Sequence, residues 1–65
     1  MELGIDIGGT NVKFGVVDGL DIIYKSDIPT GAKREGNEIV ADIITECKKI
    51  LANFDKIEKI GIGSR

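Results

Sequence analysis

Between Leu3 and Val16 the large apolar residues fall on alternate positions, and one pair of adjacent glycines interrupts them. Leu3, Ile5 and Ile7 alternate with Glu2, Gly4 and Asp6. Val12, Phe14 and Val16 resume the alternation beyond Gly8-Gly9. A period of two is the signature of a half-buried strand. The stretch reads as two strands, about Glu2–Ile7 and Asn11–Val17, joined by a turn in which Gly8 and Gly9 are expected to supply positive φ values. A turn so poor in side chains bares backbone N–H groups, which suits a phosphate oxygen. Asp6 stands beside it, where a divalent cation or its bound water would need an acceptor.

The alternation continues past a second turn signal, Asp18-Gly19. A third strand, about Leu20 to Asp27, is read with Leu20, Ile22 and Tyr24 on one face and Ile23 and Lys25 on the other. The opening is thus a three-stranded antiparallel meander. Pro29 lacks an N–H and ends the pairing. The residues from there to Gly36 read as a loop, whose adjacent cations Lys33 and Arg34 are taken as solvated.

The apolar period then changes. Ile39, Val40, Ile43, Ile44, Cys47, Ile50, Leu51 and Phe54 recur at steps of three and four, which predicts an amphipathic helix. Asn37 is the candidate N-cap and Asn53 the candidate stop. Glu38 and Asp42 near its start, and Lys48 and Lys49 near its end, suit the helix dipole. Each large side chain on that face contributes about 1.5–3 kcal/mol if fully buried. Cys47 lies on it and is read as a buried hydrophobe. A last strand, from about Lys56 or Ile57 to Gly63, follows. A strand reached through a helix is expected to run parallel to an earlier one, through a right-handed crossover. The predicted order is β-β-β-α-β.

A chain of 65 residues is one small domain, and a domain of that size buries only about 60% of its unfolded surface. Its single cysteine and lack of histidine exclude an intrachain disulfide, a zinc cage and a His-dependent nucleophilic triad. The expectation is therefore that it is part of something larger, with unpaired edges open to homo-oligomer formation or strand exchange. Nine basic residues are scattered among eleven acidic ones, for a net charge of −2. No basic stripe and no aromatic platform for nucleic acid is formed. Neither a signal peptide nor an apolar run of membrane-spanning length is present in the sequence, and the expected location is the cytoplasm.

Gly4, Gly8 and Gly9 do not make the dinucleotide fingerprint, and no Gly-Lys-Ser/Thr follows to make a Walker loop. Gly61-Ile62-Gly63 opens like a fingerprint but lacks its third glycine. Asp18 and Asp21 straddle a turn and read as turn formers.

The run Gly4-Ile5-Asp6-Ile7-Gly8-Gly9-Thr10-Asn11, with Gly15-Val16-Val17-Asp18 behind it, resembles the phosphate motif of the actin-like sugar kinases. It is most similar to the ROK family (repressor, open reading frame, kinase), which includes bacterial glucokinases. Pro29-Thr30, the helix and Ile60-Gly61-Ile62-Gly63 extend the resemblance over essentially the whole chain, which corresponds to only the beginning of a family member. The resemblance implies a ribonuclease H-like, actin-like ATPase half-lobe and ATP and Mg²⁺ as cofactors. Asp6 would orient a water on Mg²⁺. Gly8, Gly9, Thr10 and Asn11 would wrap the terminal phosphates with backbone amides and the Thr10 hydroxyl. Gly63 would lie beside the sugar. Family members often carry Lys where this chain has Asn11. Lys13 is read as a solvated strand residue, with a charge contact to phosphate as the alternative. Arg65 stands near the family's usual proline. The general-base Asp, the sugar-binding carboxylates and the adenosine lobe would lie beyond residue 65, so the chain alone is expected to be inactive. A sugar-sensing transcriptional regulator of the same family and a non-catalytic remnant are the alternative functions.

Overall fold

The computed structural model describes residues 1–30 and 36–64. Its element order is β1 (Glu2–Ile7), β2 (Asn11–Asp18), β3 (Asp21–Pro29), α1 (Gly36–Asn53) and β4 (Lys59–Ser64). The four strands form one mixed sheet in the order β3-β2-β1-β4. The meander is antiparallel, and β4 runs parallel to β1. The chain is therefore an α/β fold with one helix on one face of the sheet.

Cross-strand register builds the core. Leu3 faces Val16, Ile5 faces Phe14 and Ile7 faces Val12. Leu3, Ile5, Val12, Phe14 and Val16 are buried together with Ile50 from α1. Tyr24, Ile28, Ile43, Cys47 and Phe54 pack around them. The rings of Tyr24 and Phe54 lie tilted, with centroids 5.4 Å apart, which joins the end of α1 to β3. Nearer the middle of the helix, the Ser26 hydroxyl and the Glu46 carboxylate share a 3.1 Å hydrogen bond.

Several local expectations are corrected. Neither Gly8 nor Gly9 has positive φ; among the described residues only Gly19 does, at +65°. Gly19 takes the first central position of the β2–β3 turn, where a left-handed residue matches the twist of the strands. At the other turn the glycine requirement is steric. A Cβ on Gly8 would come within 3.1 Å of the Asn11 carbonyl oxygen, whereas one on Gly9 would meet nothing within 4 Å. In β3 the register slips between Val16 and Val17: Val16 pairs with Tyr24 but Val17 with Ile22. Ile23 is the extra residue of this bulge, so Ile22 and Tyr24 point to opposite faces rather than to the same one.

The helix already includes Gly36, so Asn37 is not its N-cap. Lys48 and Lys49 lie a turn short of its end, and its last turn carries no basic residue. Asn53 closes it by donating from its side-chain amide to the Lys49 carbonyl at 2.9 Å. The apolar face is wider than the sheet can cover. Ile50 is buried, but Val40, Ile44 and Leu51 remain exposed on one flank. Cys47 is half-buried. Ile57 precedes β4, in a link stitched to the first residue: the Glu58 N–H donates to the Met1 carbonyl at 3.0 Å. The expected loop cations Lys33 and Arg34, and Arg65, lie outside the described residues.

Candidate functional site

Strand β1 ends at Ile7, and the Gly8 N–H closes the hairpin by donating to the Asn11 carbonyl at 2.9 Å. Gly9 and Thr10 are left as the exposed tip. Asp6, Gly8, Gly9, Thr10, Asn11 and Lys13 line one concavity of about 380 Å³. Every residue expected to hold phosphate or magnesium is thus at one place, and Lys13 is with them. The Gly8 amide is spent within the hairpin, so this residue serves the concavity by lacking a side chain.

The end of β3 grips this turn from behind. Thr30, which is only 7% exposed, donates from its N–H to the Thr10 carbonyl at 2.9 Å. Its hydroxyl donates to the Gly9 carbonyl at 3.0 Å. Two successive carbonyl oxygens of the tip are therefore engaged by one residue. The N–H groups of Gly9 and Thr10 take no part in these backbone hydrogen bonds among the described residues. In a trans peptide the C=O and the following N–H point in opposite directions. Tying back the Gly9 and Thr10 carbonyls turns the N–H groups of Thr10 and Asn11 away from Thr30. The tip then offers donors, which is the polarity an anion requires.

A row of polar positions crosses the sheet at the same level. Asp6 pairs with Gly63 on one side and Lys13 on the other, and Lys13 pairs with Asp27. Gly63, expected at a sugar pocket, is thus the strand neighbour of the candidate magnesium carboxylate, although it does not line the concavity. Asn11 donates from its side-chain amide to an Asp27 carboxylate oxygen at 2.6 Å. This fixes which way the amide faces, since a carboxylate only accepts. Two residues along each strand, on the same face, Gly4 lies between Gly15 and Gly61. These glycines floor a shallower depression of about 690 Å³, which is the face of the sheet that α1 leaves bare.

Among the described residues no three His, Cys, Asp or Glu side chains come together as a direct metal-ligand set. Magnesium is typically held through one or two carboxylates, several waters and the phosphates themselves. Asp6 beside an N–H-lined tip fits that mode, in which the protein contacts the ion's water.

Sequence reasoning missed Asp27 and Thr30. Counting outward from the Asp18–Asp21 turn without the bulge places Ser26, not Asp27, opposite Lys13. The signal was present only to a reader who anticipated the extra residue at Ile23.

The fold and site define the chain as a small α/β sheet protein with a candidate anion cradle at a hairpin tip. No protein-family model matches the chain, and no curated protein does so either.

Proposed function

We propose that this chain is the phosphate-binding segment of an ATP-dependent sugar kinase of the ROK family, with a ribonuclease H-like, actin-like ATPase half-lobe as its fold. The observation that carries the reading is the hairpin tip: Asp6, Gly8, Gly9, Thr10 and Asn11 line one concavity, and the carbonyls of Gly9 and Thr10 are tied away behind it. The parallel placement of β4 beside β1 supports the same reading, because it brings Gly63 next to Asp6.

Mg-ATP would supply the transferable phosphoryl group and the charge to be stabilised. This chain would hold the terminal phosphates with N–H groups of the tip and the Thr10 hydroxyl. Asp6 would orient a water on magnesium, and Lys13 adds a cation at the rim. Such preorganised donors stabilise charge without reorganising during phosphoryl transfer. The sugar would approach past Gly63, and its general base would come from outside these 65 residues. In this reading the chain works in the cytoplasm. Among the described residues no helix is long and apolar enough to cross a membrane.

Titration of the ¹⁵N-labelled chain with Mg-ATP tests the reading. Amide resonances of Gly9, Thr10 and Asn11 should shift, and Asp6→Asn should abolish the difference between magnesium-loaded and metal-free ATP. An unmoved tip at millimolar Mg-ATP would overturn it. A coupled ATP/hexose assay of the chain alone should show no turnover.

A further inference from the structure

Thr30 does not line the concavity, yet it holds both carbonyls of the tip that does. We propose that Thr30 is a positioning residue that sets the electrical polarity of the turn, making it a site for an oxyanion and not for a bare cation. The proposal rests on the phosphate reading above and adds a residue to it.

The argument starts from the peptide planes. A two-residue tip without side-chain packing can flip a peptide, exchanging an outward N–H for an outward C=O. Neither Gly9 nor Thr10 is buried, and a Cβ on Gly9 would touch nothing, so packing within the tip does not prevent a flip. The two Thr30 bonds, at 2.9 and 3.0 Å, do. Each fixes one plane, Gly9–Thr10 through the hydroxyl and Thr10–Asn11 through the backbone N–H. Thr30 itself is anchored, because it is buried and directly follows β3. Only the hydroxyl bond depends on the side chain, so substitution releases one plane and leaves the other.

Outward carbonyls would draw a cation and repel phosphate. With both carbonyls held behind, the tip presents N–H groups to whatever fills the concavity. Asp6, which lines the same concavity, supplies the carboxylate for a cation that arrives with the anion.

The test uses inorganic tripolyphosphate with Mg²⁺ as the probe, read from the amide resonances of Gly9, Thr10 and Asn11 in the whole chain. Thr30→Val removes the hydroxyl at nearly constant shape. Thr30→Ala does so with less bulk, and Thr30→Ser keeps the donor. Thermal melts by circular dichroism establish which variants are folded at the titration temperature. The expected result is that the parent and Thr30→Ser bind alike, while folded Thr30→Val and Thr30→Ala bind about five- to tenfold more weakly, as one hydrogen bond predicts. Folded Val or Ala variants that bind within about twofold of the parent would overturn the positioning role and leave the phosphate reading intact. A parent that does not bind tripolyphosphate would overturn both. If Val and Ala variants are both unfolded, Thr30 is a folding residue and the positioning role falls.

Discussion

The side-chain amide of Asn11 and the carboxylate of Asp27 meet at 2.6 Å across neighbouring strands, so the residue that closes the candidate phosphate turn is held by the same strand whose end carries Thr30 to the turn's tip. A hydrogen bond to a charged group contributes more than a neutral one, but this pair is exposed, which limits its worth. Asp27→Ala should cost about 0.5–1.5 kcal/mol in urea denaturation. It should also move the Asn11 side-chain NH₂ resonances, whereas Lys25→Ala on the same strand should leave them in place.

The two glycines of the turn should respond oppositely to alanine. Gly8→Ala forces a Cβ against the Asn11 carbonyl at 3.1 Å and is expected to destabilise by about 1 kcal/mol or more. Gly9→Ala meets no neighbour and needs no left-handed backbone. It should leave stability unchanged or raise it by up to about 1 kcal/mol. Paired urea melts decide this, and equal losses at both positions would show that the turn selects glycine for its backbone.

Ile50 and Leu51 are adjacent in α1, yet one is 1% and the other 40% exposed. Ile50→Ala should cost about 2–5 kcal/mol through the cavity it leaves, enough to unfold a domain this small. Leu51→Ala should cost under about 1 kcal/mol. Far-UV circular dichroism at room temperature separates the two.

Burial pushes the Cys47 thiol above its ordinary pKa, and the neighbouring Glu46 carboxylate adds to the shift. The folded state therefore keeps this proton more tightly than the unfolded state does. Stability from this source is complete below the ordinary thiol pKa of about 8.5 and is lost as pH rises through the higher folded value. Iodoacetamide at pH 8 should alkylate native Cys47 more slowly than the same residue in urea. Equal rates would place the thiol in bulk water.

On the helix side of β4, Ile60 is 51% and Ile62 67% exposed. No further strand pairs with β4 among the described residues, and Ile60 to Gly63 carry no charge or proline to block one. The chain is expected to self-associate through this edge. Ile62→Lys should lower the concentration-dependent mass in sedimentation equilibrium while barely changing the urea midpoint.

Periodicity made most of the fold legible. The alternation around Leu3–Val16 placed two strands nearly to the residue, and the shift to steps of three and four at Ile39 placed the helix. What escaped was set by contacts between elements. Ile23 looks like any strand residue, and only its mismatch with β2 makes it a bulge. That one extra residue decides that Tyr24 faces Phe54 and that Asp27 reaches Asn11. The candidate site was half legible for the same reason. Its linear part, Asp6 to Asn11, is written in consecutive residues. Its supports, Asp27 and Thr30, are brought there by register.

The parallel pairing of β1 with β4 also bears on the order in which these parts assemble. The turn and its supports Asp27 and Thr30 need only the antiparallel meander of β1, β2 and β3 and the residue that follows it. Bringing Gly63 beside Asp6 closes nearly the whole chain into one loop, with a helix to be formed on the way. Short loops close sooner than long ones, and sheets built from distant pairings form slowly. The anion cradle is thus an early product of folding, while the strand that would bring a second substrate to it arrives last.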